Sequence, residues 1–275
     1  MLYPALDVSG ADGELVLAVV DDYSPSAVDG HGDSITVFFA DSASRDRARD
    51  AITSSFPSAA VSPRDVDDED WARRSQQNLQ PVTVGRITVR PPWTPPPPSS
   101  PWVVDLVIAP SMGFGTGHHV TTRLCLEALQ QIPLADKTCL DVGTGSGILA
   151  LAARLLGARS AFGIDVDADA IQSAEENLTL NAGVSSVSFD TTDLRTLSGR
   201  ERAFQFDVVT ANLTGALLVQ SHEILTAVVG AGGHLILSGV MGHERQDVQR
   251  AFGPLRLAWA REEQEWAGLR FERSK

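Results

Sequence analysis

The run Cys139-Leu140-Asp141-Val142-Gly143-Thr144-Gly145-Ser146-Gly147-Ile148-Leu149-Ala150 decides how the rest of the chain is read. An apolar stretch ends at a carboxylate, glycines follow on alternate positions, and a helix-forming segment begins. That order describes a strand, a tight turn and a helix start. Glycine suits backbone that adopts positive φ and comes close to a ligand, because it carries no Cβ. A dinucleotide fingerprint requires G-x-G-x-x-G, but position 148 is Ile. The spacing therefore disfavours a nicotinamide-dependent oxidoreductase.

Outward from this turn the pattern alternates. Strands are predicted at 138–142, 161–165, 187–191, 206–211 and 234–240, with helices at 148–156, 167–181 and 215–229. Gly157, Gly183 and the glycine-rich 230–233 are read as helix ends, and 255–260 with 269–273 as a closing antiparallel pair. Such alternation implies right-handed βαβ units and a doubly wound, mainly parallel sheet, the α/β class. Upstream, 102–109 reads as a strand running into a second glycine-rich loop at 110–122, followed by a helix with Leu124, Leu126, Leu129 and Ile132 on its apolar positions.

The first ninety residues read as a small α/β domain. An apolar run spans 15–20, a strand spans 35–39, and a helix spans 42–54 with Ser42 or Ser44 as its cap. The acidic block 65–70 is expected to open a helix reaching Leu79, and 82–89 alternates as a strand or hairpin. The proline-rich 91–101 favours extended polyproline II, a semi-rigid spacer. The expected division is thus 1–90, a linker at 91–101, and 102–275.

With 275 residues, 43% hydrophobic and 21% charged, the composition is that of a globular protein. No apolar run approaches the ~20 residues that would span a bilayer, and the first residues carry no secretory pattern. Cys125 and Cys139 are the only cysteines, each inside an apolar segment, and are expected as buried free thiols in a cytoplasmic protein. A net charge of −13 argues against direct nucleic-acid binding and favours a basic protein substrate by electrostatic steering. Solubility alone also accounts for it.

Ligands of open α/β sheets lie off the carboxyl ends of the strands, so polar residues should gather there. Asp141 and the turn Gly143, Gly145 and Gly147 end the first strand of the series; Asp165 ends the second, where a carboxylate accepts ribose hydroxyls. Asp193 follows the third strand, placed for an adenine amino group, and Asn212 ends the fourth. Each has a plainer role: Asp141 on the turn's own backbone, Asp193 and Asn212 as helix caps. In the second glycine-rich loop Phe114 is expected to pack on the ligand. Adjacent His118 and His119 lack further ligands at metal spacing, so no metal is expected.

The G-x-G-x-G turn after an acid resembles the cofactor loop of S-adenosylmethionine-dependent methyltransferases. More specifically, the chain resembles the ribosomal protein L11 methyltransferase family. The resemblance is carried by 113–117 with His119, Thr121 and Thr122, by 141–149, by 163–167 and by Ala211-Asn212-Leu213. Asp70-Trp71, the stretch 81–93 and Glu265-Trp266 add to it, so that it covers 69–275. It implies a seven-stranded Rossmann-like methyltransferase sheet, a small N-terminal substrate-recognition domain, and cytoplasmic methylation of amino groups on ribosomal protein L11. The cofactor contacts it implies are Thr122, Gly143, Asp165 and Asn212, with Asn212 orienting the substrate amine. Where the family usually reads Gly-Thr-His-Pro-Thr-Thr, this chain has His118 and Val120, and losing Pro removes a pre-set helix start. A small-molecule methyltransferase and a non-catalytic cofactor-binding module are the alternatives.

Overall fold

Four antiparallel strands organise the N-terminal unit, Met1–Asn78. They are β1 (Leu2–Ser9), β2 (Pro25–His31), β3 (Ser34–Phe39) and β4 (Ala60–Asp67), in the order β2-β3-β1-β4. The computed structural model describes residues 2–11, 16, 19–20, 23, 25–31, 34–39, 41–67, 79–98, 100, 102–110, 117–197 and 204–275. Alternation along β3 sorts its side chains: Ile35, Val37 and Phe39 join Leu6 and Val8 on one face, and Phe38 joins Ala5 and Val66 on the other. Helix α1 (Ser42–Ser55) covers the first face with Ala48 and Ile52.

Two expectations for this unit are corrected. The cap of α1 is Asp41, whose Oδ1 accepts from Ser44 N at 2.8 Å; neither Ser42 nor Ser44 fills that place. Asp65 and Asp67 do not open a helix. They end β4, where Asp65 pairs across the sheet with Pro4 and binds Arg45 at 2.7 Å. The rest of that expected helix, with Asp70 and Trp71, lies outside the described residues apart from Leu79.

The second unit is Leu79–Lys275. It opens with a hairpin of β5 (Val82–Val84) and β6 (Ile87–Arg90), and β7 (Val104–Val107) lies parallel to β6. The proline-rich stretch therefore joins two strands of one small sheet and does not link two domains. Arg90 fastens both of its ends, reaching Asp105 through Nε and Nη2 at 2.8 Å each and the Thr94 carbonyl at 2.6 Å. The division between compact units falls at Asn78/Leu79, before the hairpin.

Then follow α2 (Val120–Gln130), β8 (Thr138–Val142), α3 (Ile148–Leu155), β9 (Ser160–Asp165), α4 (Ala168–Leu180), β10 (Val187–Thr191) and β11 (Phe206–Asn212). After these come α5 (Gly215–Gln220), α6 (His222–Val228), β12 (Val229–Met241), α7 (Arg245–Ala251), β13 (Arg256–Glu263) and β14 (Trp266–Glu272). Seven strands form one sheet in the order β10-β9-β8-β11-β12-β14-β13. The first five are parallel, and β14 runs antiparallel to both neighbours.

Neighbouring residues of the central strands feed opposite faces. Cys139 and Val208 join the apolar layer under α2 and α3, whereas Leu140 and Val209 join the layer under α6 and α7. Burial of each large aliphatic side chain contributes ~1.5–3 kcal/mol, so this two-sided core holds the strands in register. The sheet is doubly wound, as expected. Both cysteines are buried free thiols, and burial pushes the Cys139 thiol up to about 12 and Cys125 higher still.

The helix expected over 215–229 divides at Ser221 into α5 and α6, and 230–233 lies inside β12. Pairing with β11 there slips between Phe206 and Val208, which lets the extra glycines loop out within the strand. Among the described residues no helix is long and apolar enough to cross a membrane.

Candidate functional site

The strands β8 and β11 are sheet neighbours, with Val142 opposite Ala211, yet the chain leaves them in opposite directions, toward β9 from one and toward β12 from the other. This reversal opens a crevice at their carboxyl ends. The turn after β8 lies there, with φ of 69° at Gly143, 51° at Gly145 and 79° at Gly147. The amides of Gly143 and Thr144 both donate to the Ile164 carbonyl, at 2.9 and 3.0 Å, so the turn is tied to β9. A Cβ on Gly143 would stand 2.5 Å from Leu213 Cδ2, and one on Gly147 would stand 2.8 Å from Phe189 Cζ. Gly143 thus lets Leu213 close in on the turn, whereas Gly147 lets the start of α3 pack against β10.

Two cavities occupy the crevice and share Gly143, Leu213 and Leu217 as a partition. The larger, about 430 Å³, is lined by Asp165, Val166, Thr192, Asp193 and Arg195 among others. The smaller, about 310 Å³, includes Thr122, Thr144, Gly145, Asn212 and Trp266 in its wall.

Six residues expected at the site from sequence therefore lie on one cavity or the other: Thr122, Gly143, Gly145, Asp165, Asp193 and Asn212. Asp165 also organises the turn, accepting from Gly145 N at 3.0 Å and from Asp167 N at 3.1 Å. Asn212 reaches across from β11, its Nδ2 3.5 Å from the Thr122 hydroxyl on α2.

Asp141 is a correction. It lies beneath the turn, 2% exposed, and lines neither cavity. Its Oδ1 accepts from Thr210 at 2.6 Å and its Oδ2 from Thr144 at 2.8 Å. Burial pushes its pKa up to about 6, against the lowering pull of those hydroxyls. Asp141 braces β8, its turn and β11 together. Gly147 likewise lines neither cavity, and Phe114 lies outside the described residues.

Asp193 lines its cavity, yet its carboxylate has partners. Oδ1 accepts from Arg195 N at 2.9 Å, which caps the 3₁₀ turn Leu194–Leu197, and Oδ2 meets Arg195 Nη2 at 2.5 Å. The hydrogen bonds from Arg195 hold this carboxyl below the usual range.

Helix α2 begins at Val120 despite the missing proline, because His119 caps it: Nδ1 accepts from Thr121 N at 3.4 Å and lies 2.8 Å from Thr121 Oγ1. The His119 ring stands edge-on to Trp266 with centroids 5.1 Å apart. His118 turns elsewhere, its Nε2 2.8 Å from the Gln80 carbonyl oxygen. The two histidines thus play separate parts, and among the described residues no group of three or more His, Cys, Asp or Glu could hold a metal.

Sequence reasoning missed Thr144, Thr192 and Arg195 as lining residues, although all three flank residues it did select. It missed the partition formed by Leu213 and Leu217 because an apolar side chain near a helix start looks like core. It also missed Asn177, for which one trace existed: Ile171, Ala174 and Asn177 share the buried stripe of α4, and an amide there requires partners.

Known proteins give the following likenesses. The family described as "Ribosomal protein L11 methyltransferase (PrmA)" matches residues 20–274. The ribosomal protein L11 methyltransferase of Geobacter sulfurreducens is 42% identical over 273 residues, covering 96% of this chain and 86% of that one. Its counterpart in Pelobacter propionicus is 40% identical over 217 residues, covering 76% and 68%. A crystal structure of ribosomal protein L11 methylase from Lactobacillus delbrueckii subsp. bulgaricus superposes with a TM-score of 0.64 at 26% identity, covering 72% of this chain and 99% of that one.

Proposed function

The chain belongs to the ribosomal protein L11 methyltransferase family, and from that premise we propose that it transfers methyl groups from S-adenosylmethionine to amino groups of ribosomal protein L11, an N-terminal α-amine, lysine ε-amines or both. The observation that carries the reading is the pair of cavities meeting over Gly143 at the switch between β8 and β11. A ligand with a ribosyl end and an amino-acid end fits such a pair, with Gly143 bordering both halves.

When bound, S-adenosylmethionine supplies an electrophilic methyl group on a sulfonium. Asp165 is the acceptor for the ribose hydroxyls, and Asp193 with Arg195 flanks the adenine. Gly143, Gly145 and Thr122 border the amino-acid portion. Asn212 donates toward Thr122, which leaves its side-chain carbonyl to orient the incoming amine. Methyl transfer needs a neutral acceptor. An α-amine of pKa ~7.8 is about one-seventh neutral at pH 7 and needs only ~1.1 kcal/mol to shed its proton, whereas a lysine of ~10.4 needs ~4.6 kcal/mol. Among the described residues, no Asp, Glu, Lys or Arg lines the smaller cavity, and desolvation without a counter-charge favours the neutral amine.

The reading places the protein in the cytoplasm, acting on a basic protein partner without direct nucleic-acid or membrane binding. Incubating purified L11 with enzyme and S-adenosylmethionine, then mapping peptides by mass spectrometry, tests it. Methyl-for-hydrogen mass increments on L11 amines are expected. Their absence, with S-adenosylhomocysteine still bound by the enzyme, would refute L11 as substrate and keep the cofactor assignment.

A further inference from the structure

Asn177 lies within α4 and has 0% exposure. Its Oδ1 accepts from Ala109 N at 2.8 Å, and its Nδ2 donates to the Ser146 carbonyl at 2.9 Å. One turn later, Asn181 bonds both backbone groups of Val107, accepting from its amide at 2.9 Å and donating to its carbonyl at 2.7 Å. Asn181 thereby does for β7 what a neighbouring strand would do, and its second donor contact, to the Asn177 carbonyl at 2.7 Å, stays within α4.

Asn177 differs in that one of its partners belongs to the glycine turn. Ser146 is in the turn after β8, next to Gly145 on the smaller cavity. Ala109 lies two residues beyond the end of β7. One buried amide thus sets the distance between the turn and the backbone that follows β7. The chemistry demands an amide, because one end must accept and the other must donate. A carboxylate would turn an acceptor toward the Ser146 carbonyl, and an apolar residue would orphan both backbone groups.

We propose that Asn177 is a positioning residue for the cofactor site, holding the glycine turn in register with the end of β7 through Ser146 and Ala109, so that its loss weakens cofactor binding beyond any loss of stability. The inference rests on S-adenosylmethionine being the cofactor. The neighbouring asparagine supplies the control, since Asn181 supports the same strand without touching the turn.

The experiment compares Asn177→Asp, Asn177→Ser and Asn181→Asp in the full chain. It reads S-adenosylhomocysteine affinity by titration calorimetry, ligand-free melting temperature, and KM for S-adenosylmethionine against kcat. Both Asn177 variants are expected to weaken binding by about tenfold or more, because small displacements of a binding wall have effects of this size or larger. KM is expected to rise with kcat largely kept. Asn181→Asp is expected to melt earlier yet bind within about twofold of wild type, because none of the Asn181 side-chain partners shown belongs to the glycine turn. The serine variant answers the question if the aspartate variant fails to fold. Wild-type affinity in Asn177→Ser, or equal weakening in Asn181→Asp, would overturn the inference. A wild-type enzyme that fails to bind S-adenosylhomocysteine would instead overturn the cofactor reading, and the inference with it.

Discussion

The two cavities share one partition and differ in charge. Among the described residues, the larger carries Asp165, Asp193 and Arg195 on its wall, whereas the smaller has hydroxyls, an amide, a histidine and a tryptophan but no Asp, Glu, Lys or Arg. Fixed anions suit hydroxyl and amino donors that stay neutral, as in a nucleoside. They do not suit an amine that must shed a proton beside a sulfonium. A carboxylate about 4 Å from an ammonium stabilises it by several kcal/mol at an effective dielectric of ~20, which would keep the acceptor protonated. On the proposed function, the division of charge matches a division of labour: recognition in one cavity, reaction in the other.

The sharpest way to break this contrast is to put a charge where there is none. Asn212→Asp is expected to lower kcat by about 10²–10³-fold, the usual cost of losing a transition-state partner, with a smaller effect on S-adenosylhomocysteine affinity. An unchanged kcat would mean that the smaller cavity is not where the amine reacts. Removing a charge from the larger cavity comes next. Asp165→Ala is expected to weaken S-adenosylhomocysteine binding by about 10²-fold in calorimetry, the worth of two hydrogen bonds to a charged group. It should leave the methylation pattern on L11 unaltered.

The third test concerns Asp141, beneath the partition. Burial holds its folded-state pKa at about 6, above the ordinary carboxyl value of 3.8. Protonation therefore favours the folded state: the stability it contributes is fully present below the unfolded pKa and is lost as pH rises through the folded one. Relative to Asp141→Asn, the wild type should lose about 2 kcal/mol between about pH 4.5 and 7. Denaturant titrations of both proteins at the two pH values read this directly, and parallel pH curves would show that the burial of Asp141 carries no such penalty. The smallest effect is expected at Arg195, whose side chain is 75% exposed. Arg195→Ala should change S-adenosylhomocysteine affinity by under about threefold, since exposed ion pairs are weak. A larger loss would make the guanidinium a contact of the adenine in its own right.

Much of this site could be read from the chain because parallel strands end on one edge. Asp165, Asp193 and Asn212 each follow a recognisable apolar run, and topology alone brings those ends together. Asp141 was placed wrongly for a reason local to its side chain. It too ends a strand, but Thr144 and Thr210 take up both oxygens beneath the turn, and no periodicity foretells a partner 69 residues away. The proline-rich stretch misled in a similar way. Its composition is that of a spacer, and only the pairing of β6 with β7 shows that it closes a small sheet. Asn177 was invisible because its value lies in two backbone partners that sequence does not bring near.

The order of strands in the sheet also orders the making of the molecule. β14 lies between β12 and β13 although it follows both in the chain, so β13 must wait for a later segment before it has an edge to join. The larger cavity draws its wall from residues 143 to 224, whereas the smaller needs Gly239 and then Trp266. On a ribosome, where chains emerge at ~5–20 residues per second, the residues that line the larger cavity are made seconds before Trp266, which the smaller one needs. A nascent chain halted between those points would carry the lining of the larger cavity and lack the tryptophan wall of the smaller.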